Sequence, residues 1–419
     1  MGLLDLDTWQ EIWATVRMNR LRTALTALGV FWGMLMLLFM LGSGNGLERG
    51  VTRNMTDFAT NAVYVWGQRT TMPYNGLPPG REVEYTNEDI EALQHQVAGI
   101  EYLAPRVQLG GWRDGNNVTR GTKTGNFQVM GDFPAFERIQ PVRFAGGRFI
   151  DPLDIAERRK VAVIGNGVAD VLFAPGEDPI GQHIKIRGVY FEIIGLFRPR
   201  KGGDEGDRAG NMIHIPFTTF QQAFNSNNKV GWFAITGHAD VSAASLEQKV
   251  REVLARRHDI DPEDRQAIGS FNAEKEFRKI TTLFGGIRLF IWFVGLLTLF
   301  AGAVGVSNIM LIAVKERTKE IGVRKALGAT PRSIVGLVLQ ESIVLTSLAG
   351  YLGLVAGVLV LEVLGRLVGP DSSIFANPQV DIRVALLGTG VLVIAGAFAG
   401  IIPARHASRI HPVEALRAE

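Results

Sequence analysis

The residues that could catalyse a reaction do not occur in this sequence with the spacing that catalysis requires. Gly165-Asn166-Gly167 lies between an apolar run and a helical run, as in a dinucleotide-binding loop, but Asp170 stands where the third glycine belongs. The phosphate-binding pattern G-x-x-x-x-G-K-[ST] is absent, and the seven histidines show no H-E-x-x-H spacing. The chain has no cysteine, which excludes disulfides and cysteine-based metal sites. We therefore predict a non-catalytic chain with no metal or cofactor of its own.

A charged stretch between two long apolar runs is the remaining candidate for function, Lys315–Pro331. Glu316 lies three residues before Lys319, and Glu320 lies four residues before Arg324. Opposite charges at these spacings meet on the surface of a helix. The pattern predicts a short helix, which we interpret as a surface that receives a push from a partner protein. An ordinary charged loop between membrane spans is the alternative.

The end of this stretch predicts where the helix stops and the next one starts. Gly328 suits the left-handed residue that follows a helix end. Thr330 followed by Pro331 is typical of an N-cap and a first helical turn. We therefore expect a helix, a stop and a second helix.

Four uncharged stretches are long enough to cross a bilayer, for which about 20 residues are needed. They are Thr23–Leu47, Leu289–Val314, Ser342–Leu361 and Val384–Ala404, the third within a helix that starts at Pro331. The first stretch is too long for a cleavable signal peptide, and no A-x-A-like site follows it. The sequence thus predicts a membrane protein with four spans.

Positive charge beside the spans predicts the orientation, because cytoplasmic loops carry an excess of Lys and Arg. Basic residues cluster before the first span, between the second and third, and after the fourth, whereas residues 48–288 carry equal numbers of acidic and basic side chains. Both termini are therefore predicted to be cytoplasmic. This distribution also argues against a nucleic-acid partner.

The predicted segments are a cytoplasmic amphipathic N-terminal helix (1–22), the first span (23–47), an extracytoplasmic domain with stalk helices (48–288), the second span (289–314), a cytoplasmic coupling helix (315–331), the third span (332–362), a short extracytoplasmic loop (363–383), the fourth span (384–404) and a cytoplasmic tail (405–419).

Apolar stripes on both sides of the large domain predict that the first two spans continue beyond the membrane as a helical stalk. The stripe residues are Leu47, Val51, Met55 and Phe58 after the first span, and Phe277, Ile280, Phe284 and Ile287 before the second. Asn272 is the expected cap of the second stalk helix. A stalk would couple the domain rigidly to the membrane helices.

Strand-like and helical runs alternate between the stalk helices, which predicts an α+β domain of two lobes, one of them roughly Gly99–Leu196. The fold class is therefore an α-helical membrane protein with four transmembrane helices and a large α+β extracytoplasmic domain on a helical stalk. Lys201–Asn211 is polar and rich in glycine, which predicts a mobile loop. Gly353 and Gly357 form a G-x-x-x-G pattern that favours close helix packing, with a second chain as a candidate partner.

Several segments share motifs with one family of membrane proteins, in the same order along the chain. They are Asn19–Thr23 with Leu28-Gly29, Lys160–Phe173 with Asp178–Gly181 and Phe191–Leu196, Asn308–Leu311 with Glu316–Ala329, and Pro403–Arg417. The chain resembles the MacB/FtsX/LolC-type permeases of ABC transporters, and within that group the MacB-like members.

The resemblance implies that the coupling helix docks on an ATPase subunit, which we expect to be a separate chain present in two copies and to hold the ATP and magnesium. The interface residues would be Glu316, Arg317, Lys319, Glu320, Ile321, Arg324, Lys325, Leu327, Gly328 and Ala329. It further implies a second permease chain, identical or paralogous, and a periplasmic adaptor. The implied function is efflux or extraction of an amphipathic substrate at the inner membrane, driven by motion of the stalk. FtsX-like signalling to a cell-wall hydrolase and LolC-like lipoprotein release are the alternatives.

Overall fold

A computed structural model describes residues 20–55, 59, 61–110, 115–199, 203–368 and 382–412. The chain divides into two compact units, with the boundaries after Gly50 and after Thr281. The predicted amphipathic helix before residue 20, most of the 363–383 loop and the tail beyond residue 412 lie outside the described residues.

The helices, in chain order, are α1 (Arg20–Met55), α2 (Asn87–Gln96), α3 (Phe136–Ile139), α4 (Pro152–Ala156), α5 (Asn166–Leu172), α6 (Gly203–Gly210), α7 (Phe217–Ala223), α8 (Ala243–Arg257), α9 (Ala273–Glu316), α10 (Thr318–Ala326), α11 (Pro331–Val368) and α12 (Ile382–Ser408). The strands are β1 (Ala62–Gly67), β2 (Ile100–Leu109), β3 (Val118–Arg120), β4 (Lys123–Gly125), β5 (Gln128–Asp132), β6 (Arg143–Gly147), β7 (Val161–Gly165), β8 (His183–Ile186), β9 (Val189–Arg198), β10 (Met212–Pro216), β11 (Trp232–Gly237) and β12 (Ile268–Asn272).

The unit between the first two membrane helices is built on a mixed sheet with the order β12-β1-β11-β2-β5-β10-β7-β9-β8-β3-β4, and β6 pairs with β9. Strand β2 changes partner along its length: its first part pairs with β11, and Val107–Leu109 pairs with β5. Because β2 pairs with strands of both halves, it joins the two predicted lobes into one sheet. Strand β10 lies between β5 and β7, so the half that we placed at roughly Gly99–Leu196 also includes residues 212–216.

The helices of this unit bury the apolar faces that their sequences predict. Leu246, Val250 and Leu254 recur at helical spacing on α8, and all three are buried in the core. Thr86 and Asp89 form a capping box at the start of α2: Thr86 N–H donates to Asp89 Oδ2 over 2.8 Å, and the Thr86 side chain caps the third residue of the helix.

The prediction of a mobile loop over Lys201–Asn211 is wrong for its described part, which forms helix α6. Acidic residues lie at its start and Arg208 lies in its last turn, which suits the helix dipole. Its C-terminal Gly210 packs closely on another backbone, because a Cβ added to Gly165 would lie 2.2 Å from the Gly210 carbonyl oxygen. Gly165 and Gly210 therefore permit a close contact between two main chains.

Four helices of the described chain are long and apolar enough to span a membrane, and each contains one of the predicted spans. Helix α1 packs against the other three. Its Met34 is fully buried, and a Cβ on Gly388 of α12 would lie 2.6 Å from the Met34 methyl group. On α9, a Cβ on Gly302 would lie 3.1 Å from Val30 of α1. Small residues therefore let α1 approach its neighbours closely.

The G-x-x-x-G pattern of α11 packs within the chain rather than against a second copy. A Cβ on Gly353 would lie 2.4 Å from the Phe31 carbonyl oxygen of α1, and one on Gly357 would lie 3.1 Å from Leu38. Because α1 covers both glycines, the second chain that we considered as their partner is not needed to explain them.

Helices α11 and α12 pack closely through small and hydroxyl-bearing residues. The buried Ser342 hydroxyl donates to the Val338 carbonyl over 3.0 Å, and Thr346 donates to the Ser342 carbonyl over 2.7 Å. These bonds satisfy the buried hydroxyl groups within α11. A Cβ on Gly400 of α12 would lie only 2.9 Å from the Ser342 hydroxyl oxygen, so the glycine permits the contact.

Candidate functional site: the short helix between the second and third membrane helices

Helix α10 lies inside the predicted 315–331 segment but is shorter, from Thr318 to Ala326. Helix α9 ends at Glu316, and the Thr318 hydroxyl donates to the Lys315 carbonyl over 2.7 Å at the start of α10. Gly328 has a φ of +99°, which confirms the predicted left-handed stop. Thr330 Oγ1 then accepts a hydrogen bond from the Ser333 N–H over 3.3 Å, so Thr330 caps α11 as predicted. The expected helix, stop and restart are confirmed.

One apolar residue anchors α10 to the membrane helices. Ile321 is buried in the same cluster as Val314 of α9 and Ile334 and Val338 of α11. Gly322 next to it is also buried. Since α10 is too short to be stable alone, this burial accounts for its order.

An ion pair and two hydrogen bonds fasten the two ends of α10 to neighbouring helices. At its start, Arg317 lies 3.6 Å from Glu341 of α11, which is only 6% exposed. At its end, the Lys325 ammonium donates to the carbonyls of Ser408 and Ile410 over 2.6 and 2.8 Å. These carbonyls lie at and just beyond the C-terminus of α12, where a cation is favourable. Helix α10 is thus braced to both α11 and α12.

The remaining charges of α10 lie toward the surface. Arg324 forms the predicted ion pair with Glu320 over 2.8 Å, and Glu316 and Lys319 are exposed. Leu327 is 83% exposed just after the helix end, in a polar stretch outside the apolar runs. The exposed side of α10 therefore combines charges of both signs with a large apolar side chain, a mixture that suits a protein partner.

The structure brings the ten predicted interface residues together but divides them into two groups. Exposed residues are Glu316, Lys319, Glu320, Leu327 and Gly328; half-buried or buried residues are Arg317, Ile321, Arg324, Lys325 and Ala329. Within the second group, Arg317, Ile321 and Lys325 bind neighbouring helices of the same chain. Their placement indicates a role in holding α10 in position.

The described stalk residues lie on long continuous helices. With a rise of about 1.5 Å per residue, the 44 residues of α9 extend over about 66 Å, twice the thickness of a bilayer core. Asn272 caps α9 as predicted, its Oδ1 accepting from the Lys275 N–H over 3.0 Å. The stripe is buried at Phe284, half-buried at Leu47, Val51, Phe277 and Ile280, and exposed at Ile287. Met55 ends α1, and its side chain and all of Phe58 lie outside the described residues.

Sequence reasoning missed a buried charged cluster in the sheet. Arg106 binds Asp132 through two nitrogens at 2.5 and 3.2 Å, and His214 Nδ1 lies 2.6 Å from the same carboxylate. Burial alone would raise the pKa of Asp132, but the Arg106 charge and the hydrogen bonds from His214 and Arg106 outweigh it and hold the pKa below its usual range. The sequence signal for this cluster is Arg106, the one arginine in the largely apolar strand β2.

Two family descriptions match the sequence along most of its length. The MacB-like periplasmic core domain matches residues 23–253, more than half of the chain, and the FtsX-like permease C-terminal region matches residues 292–412. The chain belongs to the MacB/FtsX-type permease family. The sheet-based unit of this MacB-like permease is therefore a periplasmic-type core domain, and α9 to α12 belong to an ABC-transporter permease domain.

Relatives of this MacB-like permease include two exporters of ATP-binding/permease type. The macrolide export protein MacB of Bdellovibrio bacteriovorus is 29% identical over 97% of this chain, and the pyoverdine export protein PvdT of Pseudomonas putida is 31% identical over 99%. The chain spans about 60% of the length of either relative. The periplasmic region of MacB from Actinobacillus actinomycetemcomitans aligns over 55% of this chain and 97% of its own, with 16% identity and a TM-score of 0.44.

Proposed function

We propose that this MacB-like permease passes ATP-driven motion from an ATPase to its periplasmic domain, and so drives export or extraction of an amphipathic substrate. Helix α10 is the contact for the ATPase and lies on the cytoplasmic side with both termini. The ATPase, in two copies, holds the ATP and magnesium, and this part of the complex performs no catalysis itself. A second permease chain and a periplasmic adaptor complete the complex.

The observation that carries this proposal is that α10 is attached to both α11 and α12. A helix that receives force moves its neighbours only if it is fastened to them. The Arg317–Glu341 pair joins α10 to α11, and Lys325 joins it to the end of α12. Helix α9 runs without interruption from Ala273 to Glu316, two residues before α10. Displacement of α10 would therefore act on three membrane helices together.

Export is favoured over signalling or lipoprotein release by the relatives. Both similar proteins named above are export proteins, one for macrolides and one for pyoverdine. A periplasmic protein that copurifies with the chain would distinguish the functions, since an adaptor supports export and a hydrolase supports signalling.

The test is a charge reversal on the exposed side of α10. Arg324→Glu places an acid beside Glu320 and should abolish copurification of the ATPase with the detergent-solubilised chain, because interface charges set partner choice. Arg366→Glu is the matched control: Arg366 also pairs with a glutamate four residues earlier, Glu362, at 2.6 Å, but lies at the opposite end of α11.

The control variant should retain the ATPase. Normal ATPase binding and coupled export by Arg324→Glu, or equal loss in both variants, would overturn the assignment of α10. Size-exclusion chromatography of both variants verifies that neither reversal unfolds the chain.

A further inference from the structure

A cavity of about 790 Å³ lies in the periplasmic domain, between the outer side of α8 and the segment that leads from α8 through β12 into α9. Its volume is within the range of small-molecule sites, about 300–1,000 Å³. The cavity is separate from α10 and from the buried Arg106–Asp132 pair, since it shares no residue with either. The charges and apolar groups of its wall indicate which ligand it would take.

The acidic side chains of the wall are already bound within the chain. Each accepts at least one hydrogen bond from a neighbouring group: Glu247, Glu252, Asp261 and Asp264. Asp264 is the most buried of them, and it accepts from the main-chain N–H groups of Thr71 and Met72 over 2.6 and 3.1 Å. The oxygens of these carboxylates are therefore partly or fully used in holding the fold together.

Three exposed cations of the wall, by contrast, have no carboxylate partner within the described part of the chain: Arg256, Arg265 and Lys275. Lys275 lies near the start of α8, because its N–H donates to Asn272 Oδ1 and the Asn272 amide donates to Glu247. Arg265 lies about one helical turn further along, where its carbonyl accepts from Arg251 over 3.4 Å. Two free cations thus lie near each other toward one end of the cavity.

Apolar side chains line the other end of the cavity. Ala255, in the last turn of α8, and Ile260, just beyond the helix, are buried at 8% and 2% exposure. Tyr74 is half-buried, and its loop is fastened beside Ile260 by a hydrogen bond from the Asn75 amide to Asp259 over 3.0 Å. The cavity therefore has one end with free positive charge and one end that suits an apolar group.

We propose that this cavity binds an amphipathic anion, with its acidic group on Lys275 and Arg265 and its apolar part against Tyr74 and Ile260. A carboxylate, sulfonate or phosphate would satisfy the two cations, since charge-assisted hydrogen bonds are the strong ones. Lys275 belongs to the first turn of α9, so the ligand would connect α8 to the helix that continues into the membrane. Binding here does not depend on the proposed function, although such an anion falls within the substrate class given there.

Fluorescence titration with dansylglutamate tests the site, because this probe has carboxylates at one end and an aromatic ring system at the other. The full chain in nanodiscs of zwitterionic lipid should bind the probe saturably. Lys275→Glu should weaken binding about tenfold, since it replaces an attraction by a repulsion. Lys249→Glu is the matched control and should bind like the parent: Lys249 is also exposed and has no ion pair in the described chain, but it lies on α8 outside the cavity wall.

Three outcomes would overturn the proposal. They are no saturable binding above that of empty nanodiscs, equal weakening by the two lysine variants, and equally tight binding of dansylamide, which has the same rings without a carboxylate. The second outcome would mean that the probe responds only to the net charge of the domain. The ATPase is absent from the titration, so failure of this site leaves the proposed role of α10 standing.

A second pair of variants tests the apolar end. Tyr74→Ser should weaken dansylglutamate binding about fivefold, because the rings of the probe lose an aromatic contact. Met72→Ser is the matched control, since Met72 is an exposed apolar residue of the same loop that does not line the cavity, and it should bind like the parent. Unchanged binding by Tyr74→Ser, or equal weakening by both variants, would contradict the proposed placement of the apolar part.

Discussion

Charged groups are buried both in the periplasmic domain and around α10, but they are enclosed to different degrees. In the periplasmic domain, Asp132 and Asp89 are fully buried, and each binds two cationic or imidazole side chains within 3 Å. Around α10, the Arg317–Glu341 pair is longer, at 3.6 Å. The two carboxylates of the domain are therefore held by closer ion pairs than Glu341 is by Arg317.

Energetics explain why the two regions differ. Breaking a fully buried ion pair leaves a charge without compensation and costs several kcal/mol, so such a pair resists separation. A partly exposed cation can exchange one partner for another, or for water, at lower cost. Under the proposed function, the close ion pairs suit a domain that is moved as a unit, and the longer Arg317–Glu341 pair suits a helix that shifts against its neighbours.

The largest expected effect is the loss of a buried partner in the periplasmic domain. Asp132→Asn removes the only carboxylate that binds Arg106 in the described cluster, while the guanidinium stays buried against the Phe136 ring at 3.6 Å. We expect the free energy of unfolding of the domain to fall by about 3–5 kcal/mol. Trp232, 5.4 Å from the same guanidinium, provides a fluorescence signal for unfolding of the solubilised chain.

An apolar replacement of the whole cluster sharpens this test. Arg106→Met, Asp132→Leu and His214→Phe together remove every charge, and His214 already lies among the rings of Phe136, Phe149 and Phe197. The triple variant should be more stable than Asp132→Asn alone, because no charge is left uncompensated. Equal loss in the two variants would mean that packing, rather than charge, explains the cost.

A smaller effect is expected from acid at the α2–α8 contact. Burial alone would raise the pKa of Asp89, but hydrogen bonds with His258 and Arg257 and from the Thr86 N–H lower it to about 2. Since the folded pKa lies below the unfolded value near 4, the contribution is complete above pH 4 and is lost as the pH falls toward 2. Unfolding of the periplasmic domain should therefore become easier by about 2 kcal/mol across this window.

Asp89→Asn is the control for this pH dependence. The variant should be less stable at pH 7, because Arg257 and His258 lose their carboxylate partner, and its stability should change less between pH 4 and pH 2. A pH profile identical to that of the parent would exclude Asp89 as the source. Thermal unfolding of the solubilised chain at each pH measures both proteins.

The sequence predicted most elements of both regions because their signals are local. Gly328, Thr330 and Pro331 mark the end of α10 and the start of α11 by their own backbone preferences. Strand β7 is a short continuous apolar run, and helix α8 has apolar residues that recur about every four positions. Such signals need no knowledge of the rest of the chain.

The missed features depend on partners far away in the sequence. Arg106 and His214 meet Asp132 only because β2, β5 and β10 become neighbours in the sheet. The resemblance placed Lys325 among the residues that contact a partner, and that stays a prediction. Its ammonium binds main-chain carbonyls 83 and 85 residues away, a contact that carries no side-chain signal. Pairing across the fold cannot be read from a local pattern.

The smallest expected effect is that of replacing Lys325, and it tests the attachment of α10 to α12. Lys325→Met removes the donor to the Ser408 and Ile410 carbonyls and should cost about 1 kcal/mol, the usual net worth of such contacts. Amide hydrogen exchange near residues 405–412 should then accelerate, with no change in the periplasmic domain. Lys319→Met, at an exposed position of the same helix, is the matched control and should leave exchange unchanged. If both variants exchange alike, Lys325 does not fasten α10 to α12, and the brace reduces to the Arg317–Glu341 pair.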